Sequence, residues 1–368
     1  MAHSLYLAST PLHILNSVAI ASSQPSATAH LWMIDQPNTL DNPYFQVLND
    51  WQQSPFDGLH ISAGQQGGVR RKLASRKQIF ARLREWVEAH QPKHIYTGND
   101  RRIEFQYAMH CAQAQATGVY MDEGTFTYVG RKASTSWSDR IVDNGLKKLA
   151  YGRWWHSPRT IGASRWVKQV YAAFPQWVHP LLQRKELIAL QPLFTNNAAV
   201  TSFCTELANF FDAPTEHLAQ LDCVLTLPHE SIIDTLPGYR DAMLNTVAQL
   251  QQAGLKTGIK YHPRNQQPDI LNASALDGFT LIPHQIPFEA LLPLLPEQVI
   301  VIGDVSSTLI NSRWLKPSAR LLSIANPKVA LYQQFCQLFE RLGVQVLESS
   351  QLPSALTHLL QQEPSCSH

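Results

Sequence analysis

Short apolar runs, each followed by turn residues and then by a stretch of helical periodicity, recur along the whole chain. That alternation of strand, turn and helix is the pattern of parallel sheets covered on both faces. In the first half, strands are expected at 4–8, 30–34, 59–62, 94–98 and 118–121, with helices after Ser9-Thr10-Pro11 and over 103–116. Thr10 can cap the first helix, and Pro11 can take its first position, where a missing amide costs nothing. In the second half, strands are expected at 200–204, 222–227, 257–261, 279–282, 299–302 and 321–324. Helices are expected there over 239–252, 288–295, 308–311, 329–342 and 355–361. A chain of 368 residues, 44% of them hydrophobic, can fill two cores rather than one. The expected fold is therefore α/β, with two Rossmann-like domains, 1–190 and 191–368, facing each other across a central cleft. The crossing is placed at 187–197, through Gln191-Pro192 and Thr195-Asn196-Asn197.

Charge excludes one broad class. Lys and Arg number 30 against 28 Asp and Glu, a formal +2, which gives little general affinity for nucleic acid; any contact with a phosphate or a membrane must be local. Cys111, Cys204, Cys223, Cys336 and Cys366 form no CxxC and read as free thiols rather than disulfides or a zinc cluster. Met1-Ala2-His3-Ser4 has no basic segment ahead of its apolar run, and no 18-residue uncharged apolar stretch occurs, so a cytoplasmic location is expected. The glycine-rich loop at 63–68 lacks the lysine and hydroxyl of a P-loop, and Gly303-Asp304-Val305-Ser306-Ser307 lacks the spacing of a dinucleotide fingerprint. Arg70, Arg71, Lys72, Arg76 and Lys77 open an amphipathic helix that suits a solvated face, an anionic acceptor or a membrane surface. Tyr128, Arg131, Lys132, Trp137 and Trp154-Trp155-His156 suit either an acceptor-side wall or internal packing.

Three strand exits carry groups able to do chemistry. Gly258-Ile259-Lys260-Tyr261-His262-Pro263-Arg264 reads as a buried strand that Pro263 ends, because proline has no amide for the ladder and holds His262 out of the helical region. Asp122-Glu123-Gly124 follows another apolar run, with Gly124 permitting a tight turn and one of two adjacent carboxylates suited to proton abstraction. No DxD metal pair is present in that stretch. Ser306-Ser307-Thr308 follows a third apolar run at a helix start, where hydroxyls and free amides can hold phosphate. A plain turn, a strand terminus and a helix cap are the structural alternatives.

The ordered set formed by Tyr6-Leu7-Ala8-Ser9-Thr10-Pro11-Leu12-His13, Asp122-Glu123-Gly124, His262-Pro263 and Ser306-Ser307 resembles the bacterial sialyltransferases, especially the alpha-2,8-polysialyltransferase and lipooligosaccharide sialyltransferase families. The resemblance runs through nearly the whole chain. It implies a GT-B fold and transfer of a nonulosonic acid from a CMP-activated donor, with inversion and without an obligatory metal or other cofactor. It also implies that the base lies within Asp122-Glu123, with Glu123 preferred and Asp122 orienting the loop. His262 would bind or protonate the CMP phosphate, and Ser306 with Ser307 would complete its cradle. Thr10 and Asn99 are added as donor-sugar or acceptor contacts, Glu289 as a ribose contact, and Lys260, Pro263 and Arg264 as further donor contacts, with solvent exposure the alternative for Lys260 and Arg264. The implied partners are a CMP-nonulosonate and a glycan or glycolipid acceptor of the cell surface, with peripheral association at the cytoplasmic face of the inner membrane as an option. Transfer of Kdo, pseudaminic or legionaminic acid, a nucleotide-sugar epimerase or hydrolase, and a non-catalytic glycan-binding protein are the competing readings.

Overall fold

Every strand pairing among the described residues is parallel, and the central strands are apolar runs buried on both faces. Leu5, Tyr6 and Leu7 in the first strand and Val119, Tyr120 and Met121 in the fifth are all at most 1% exposed. The computed structural model describes residues 2–64, 69–130, 148, 151–324, 326 and 332–361, and of the side chains at 69–73 only the backbone path. Expectations for the loop at 65–68, the side chains of Arg70, Arg71 and Lys72, and Arg131, Lys132, Trp137 and Cys366 lie outside the described residues. Two compact units are present, Met1–Phe203 and Cys204–His368.

The first unit holds β1 (Ala2–Ala8), β2 (Ala27–Gln36), β3 (Gly58–Ala63), β4 (His94–Thr97), β5 (Thr117–Met121), β6 (Val167–Ala172) and β7 (Glu186–Ala189). Their order is β3-β2-β1-β4-β5-β6-β7, so the winding reverses between β1 and β4. The second unit holds β8 (Cys223–Thr226), β9 (Thr257–Lys260), β10 (Phe279–Ile282), β11 (Ile300–Gly303), β12 (Arg320–Ile324) and β13 (Gln345–Leu347). Their order is β10-β9-β8-β11-β12-β13, with the reversal between β8 and β11. In a doubly wound sheet, such a reversal opens a crevice at the carboxyl ends of the two strands that flank it.

Most expected elements are present within a residue or two, but one is of the wrong type. Residues 200–204 were expected as a strand and lie instead in a helix, Ala198–Phe210. The β-branched, aromatic run Val-Thr-Ser-Phe-Cys suggests a strand, yet the buried positions are Val200, Phe203, Cys204, Leu207 and Ala208, a helical period. Asn197 starts that helix by accepting the amides of Ala199 and Val200 at 3.0 and 3.2 Å. Strands β6, β7 and β13 were not expected.

Histidines gather at the opposite end of the first sheet from the reversal loops. His3 of β1, His30 of β2 and His60 of β3 lie in one layer with His90, the last residue of helix Val69–His90. Ring centroids are 5.2 Å apart for His3–His90, 5.1 Å for His30–His90 and 6.1 Å for His30–His60, and Trp86 stacks on His90 at 4.4 Å. Burial lowers the pKa of His3 and His60 and takes that of His30 down to about 4. Among the described residues no group of three or more His, Cys, Asp or Glu is arranged to hold a metal ion, this cluster included. Nor is any described helix long and apolar enough to cross a membrane.

Candidate active site

In the first unit the acidic pair sits where β5 leaves the sheet, and its two members have different surroundings. Asp122 is 1% exposed. Its Oδ1 accepts the Gly124 amide and the Thr127 hydroxyl, both at 2.7 Å, and its Oδ2 accepts the Ala173 amide at 2.9 Å and the Tyr128 hydroxyl. Its carbonyl accepts Asn16 Nδ2 at 2.9 Å, which ties the end of β5 to helix Pro11–Ser22. Burial pushes the Asp122 carboxyl up, and the four donors pull it down, led by Tyr128. A backbone N–H faces each oxygen and cannot turn away, so geometry fixes the carboxyl group in the turn it shapes. Gly124 takes φ +91°, which a side chain would oppose, and the helix Thr125–Val129 starts directly after it. Glu123 is half-buried on this turn, its amide donating to Thr127 Oγ1 at 3.3 Å, and its charge helps to raise the pKa of Tyr120.

Thr10 and Asn99 stand on the two sides of the reversal between β1 and β4. Thr10 caps helix Pro11–Ser22 through His13 N at 3.3 Å. Asn99 Oδ1 accepts the Arg101 amide at 3.1 Å, closing the turn after β4. Between them His13 is 1% exposed, with Nδ1 taking the Ser9 amide at 3.3 Å. Burial and the Arg102 charge bring its pKa down to about 3. A Cβ on Gly98 would lie 1.9 Å from His13 Nε2, so glycine is what lets the helix and β4 approach here.

The aromatic segment that follows is core. Trp154 packs on Phe80, Tyr107 and His110 with ring centroids at 5.8, 5.4 and 6.0 Å, and Trp155 is 1% exposed. Tyr128 is equally internal, its hydroxyl spent on Asp122. These residues pack the first unit and do not form an exposed wall. Sequence reasoning gave no part to Thr127 or Ala173 and did not pair Tyr128 with Asp122, although all three hold it; a hydroxyl five residues beyond the aspartate was the only visible signal for Thr127.

In the second unit His262 leaves β9 as a half-buried ring on an exposed turn that includes Pro263 and Arg264. Nδ1 accepts the Arg264 amide at 3.2 Å, which leaves the proton of the neutral ring on Nε2. Burial first, then the Arg264, His229 and Lys260 charges, bring its pKa down to about 4. Lys260 does not face solvent: it is 3% exposed, and its ammonium donates to the carbonyls of Tyr261 and His284 at 2.8 and 3.0 Å. Burial draws its pKa down to about 7, opposed by the Glu289 carboxylate. Glu289 Oε1 accepts Asn311 Nδ2 at 2.7 Å, joining it to helix Ser307–Leu315. Ser306 occupies the cap position of that helix but makes no capping bond through its side chain, and Ser307 is exposed in its first turn. The hydroxyls and the first amides of the helix are thus arranged at the end of β11, beside the reversal.

Two doubly wound parallel sheets, each carrying polar and titratable groups at its reversal loops, define a GT-B type fold of two Rossmann-like domains. Residues 40–323 match the alpha-2,8-polysialyltransferase family, and the chain belongs to that family; it is a glycosyltransferase of the sialyltransferase type. The sequence matches no curated protein. Its fold is similar to that of the α/β-galactoside α-2,3-sialyltransferase of Photobacterium phosphoreum, with TM-score 0.58 and 13% identity over 95% of this chain and 99% of that one. It is also similar to the 2,6-sialyltransferase of Photobacterium sp. JT-ISH-224, solved with CMP and lactose, with TM-score 0.52 and 12% identity over 95% and 78%. The UDP-GlcNAc 2-epimerase of Methanocaldococcus jannaschii has TM-score 0.54 and 10% identity over 99% and 94%. Transferases and an epimerase share this shell, so it is the family that separates them.

Proposed function

We propose that the chain transfers a nonulosonic acid, sialic acid first among them, from a CMP-activated donor to a hydroxyl of a cell-surface glycan, with inversion at the anomeric carbon. The observation that carries this reading is the engagement of Asp122 by four donors, which gives it the turn to hold and supports Glu123 as the proton acceptor. Glu123 takes the proton of the acceptor hydroxyl as that oxygen attacks, and the bond from the anomeric carbon to the phosphate oxygen breaks with its electron pair leaving on CMP. The neutral His262 ring donates a hydrogen bond from Nε2 to the departing phosphate, a role that suits a pKa near 4 better than outright proton donation. Ser306, Ser307 and the amides of the following helix hold the same phosphate, and Arg264 adds charge from the exposed turn. Glu289 takes the ribose, Pro263 packs beside the nucleoside, and Lys260 shapes that pocket through the two carbonyls it binds. Thr10 and Asn99 contact the donor sugar or the acceptor from the reversal of the first sheet. Phosphate is a good leaving group and these donors carry its developing charge, so the scheme needs no divalent ion. CMP and lactose bound to the Photobacterium sp. enzyme, of similar fold, support the choice of donor and acceptor class.

Purified protein is incubated with CMP-linked sialic, Kdo, pseudaminic and legionaminic acids and a panel of galactose-terminated and sialylated acceptors, with and without EDTA. The expected result is CMP release that depends on acceptor, yields a new glycoside and survives EDTA. Glu123→Gln and His262→Ala are each expected to lower transfer by about 100-fold or more while the fold persists. Release of CMP by water alone, or full turnover in both variants, would overturn the reading.

A further inference from the structure

In the second sheet β8 lies between β9, which delivers His262, and β11, which delivers Ser306. Its own exit carries a second histidine in the same setting. His229 stands three residues beyond β8, and its Nδ1 accepts the Ser231 amide at 3.2 Å, just as His262 Nδ1 accepts the Arg264 amide at 3.2 Å. In both rings an amide two residues onward occupies Nδ1, so each neutral ring carries its proton on Nε2. Neither Nε2 has a hydrogen-bond partner among the described residues. The rings meet edge to face, with centroids 5.5 Å apart and planes at 75°.

This spacing is held by the loops themselves. The Glu230 amide donates to Asn265 Oδ1 at 3.1 Å, and Glu230 Oε2 accepts the amides of Gln266 and Gln267 at 3.1 and 3.4 Å. Capping of helix Glu230–Thr235 accounts for Nδ1 of His229, but Asn, Asp or Ser would cap as well. What histidine adds is an N–H on the far side of a ring whose centroid lies 5.5 Å from that of His262, on the loop that leaves β8 beside the reversal.

We infer that His229 is a second binding residue for the nucleotide phosphate, its Nε2–H and that of His262 each donating to a nonbridging oxygen. The inference rests on the CMP-donor reading above. Two N–H donors from adjacent strand ends, with the hydroxyls of Ser306 and Ser307 after the next strand, supply the kind and number of donors that one tetrahedral anion takes. His229 is also among the groups that hold the His262 pKa down, in keeping with two rings close enough to face one anion.

The test is calorimetric titration of full-length protein with CMP and, separately, with cytidine. His229→Asn keeps an acceptor for the Ser231 amide, and so the cap, while removing the Nε2–H. It is expected to weaken CMP by about 10-fold to 100-fold and to leave cytidine within about twofold of wild type. His229→Ala should match it for CMP while also lowering the thermal midpoint, which separates phosphate binding from capping. Equal CMP affinity in wild type and His229→Asn, or parallel loss of CMP and cytidine, overturns this inference alone. A wild-type protein that takes up no CMP overturns the donor reading and this inference with it.

Discussion

Replacing Asp122 with Asn tests the roles proposed for the two carboxylates, Asp122 holding the turn and Glu123 taking the proton. Whichever end of the carboxamide becomes nitrogen, it meets one hydroxyl, which can rotate and accept, and one backbone N–H, of Gly124 or Ala173, which cannot. The change therefore removes a charge-assisted bond of about 1.5–3 kcal/mol and leaves a buried amide unpaired at about 1–3 kcal/mol more. Part of this is offset because a neutral side chain no longer has to be held charged in the interior. The net loss expected is about 2–4 kcal/mol, and near 2–4 °C per kcal/mol for a unit of this size the first thermal transition should fall by roughly 5–15 °C. Glu123→Gln touches none of these bonds and should shift stability by less than about 1 kcal/mol, while the proposed base role predicts loss of most transfer. Scanning calorimetry and urea unfolding of both variants, read beside the transfer assay, give the comparison. The reasoning is refuted by an Asp122→Asn protein that melts with wild type, or by a Glu123→Gln protein that is the less stable of the two.

Gly98→Ala places a methyl group 1.9 Å from the ring of a buried His13 and should cost about 2–4 kcal/mol by forcing helix Pro11–Ser22 away from β4; an unchanged midpoint in urea would refute the contact. Acid should weaken the first unit through histidines that fold neutral. In an unfolded chain a histidine titrates near 6.5. With His30 held down to about 4 and His13 to about 3, stability is complete above pH about 6.5 and is lost progressively as pH falls from there to those values. The fully buried His13 alone accounts for up to about 4 kcal/mol by pH 3. Thermal midpoints taken between pH 7 and 4 should fall steeply for wild type and less steeply for His30→Gln, and matching slopes would exclude the cluster as a cause.

The alternation of buried runs and amphipathic stretches was enough to read the parallel sheets, because strands covered on both faces have little choice of side chain. What it could not show was β6, β7 and β13. Val167–Ala172 contains Lys168 and Gln169, and Glu186–Ala189 has no buried position, so neither resembles a core strand. β7 is the edge strand, with one side of its ladder unpaired, while β6 is paired on both sides and is buried at Val167, Val170, Tyr171 and Ala172 despite its polar Lys168 and Gln169. The helix Ala198–Phe210 was missed for the opposite reason: its β-branched start mimics a strand over five residues, and only the burial of Leu207 and Ala208 beyond that window reveals the period.

The site was legible where chemistry and chain geometry coincide and hidden where they do not. Pro263 marks the exit of β9, Gly124 the exit of β5 and the hydroxyl pair the start of a helix, and each is a local signal. Whether Asp122 or Glu123 shapes the turn depends on Ala173, 51 residues away, and on hydroxyls whose direction no spacing predicts. Lys260 is the same case. On a strand of alternating faces it could as well have met solvent, and it is internal because β9 is covered on both faces and the His284 carbonyl reaches its ammonium from beyond the neighbouring strand β10. His229 was visible in Pro228-His229-Glu230, one of several polar connections after expected strands, with nothing in its spacing to set it apart. It acquires meaning only from the sheet order, which puts β8 between the two strands whose exits were already recognised, and that order is a property of the assembled sheet rather than of any stretch of sequence.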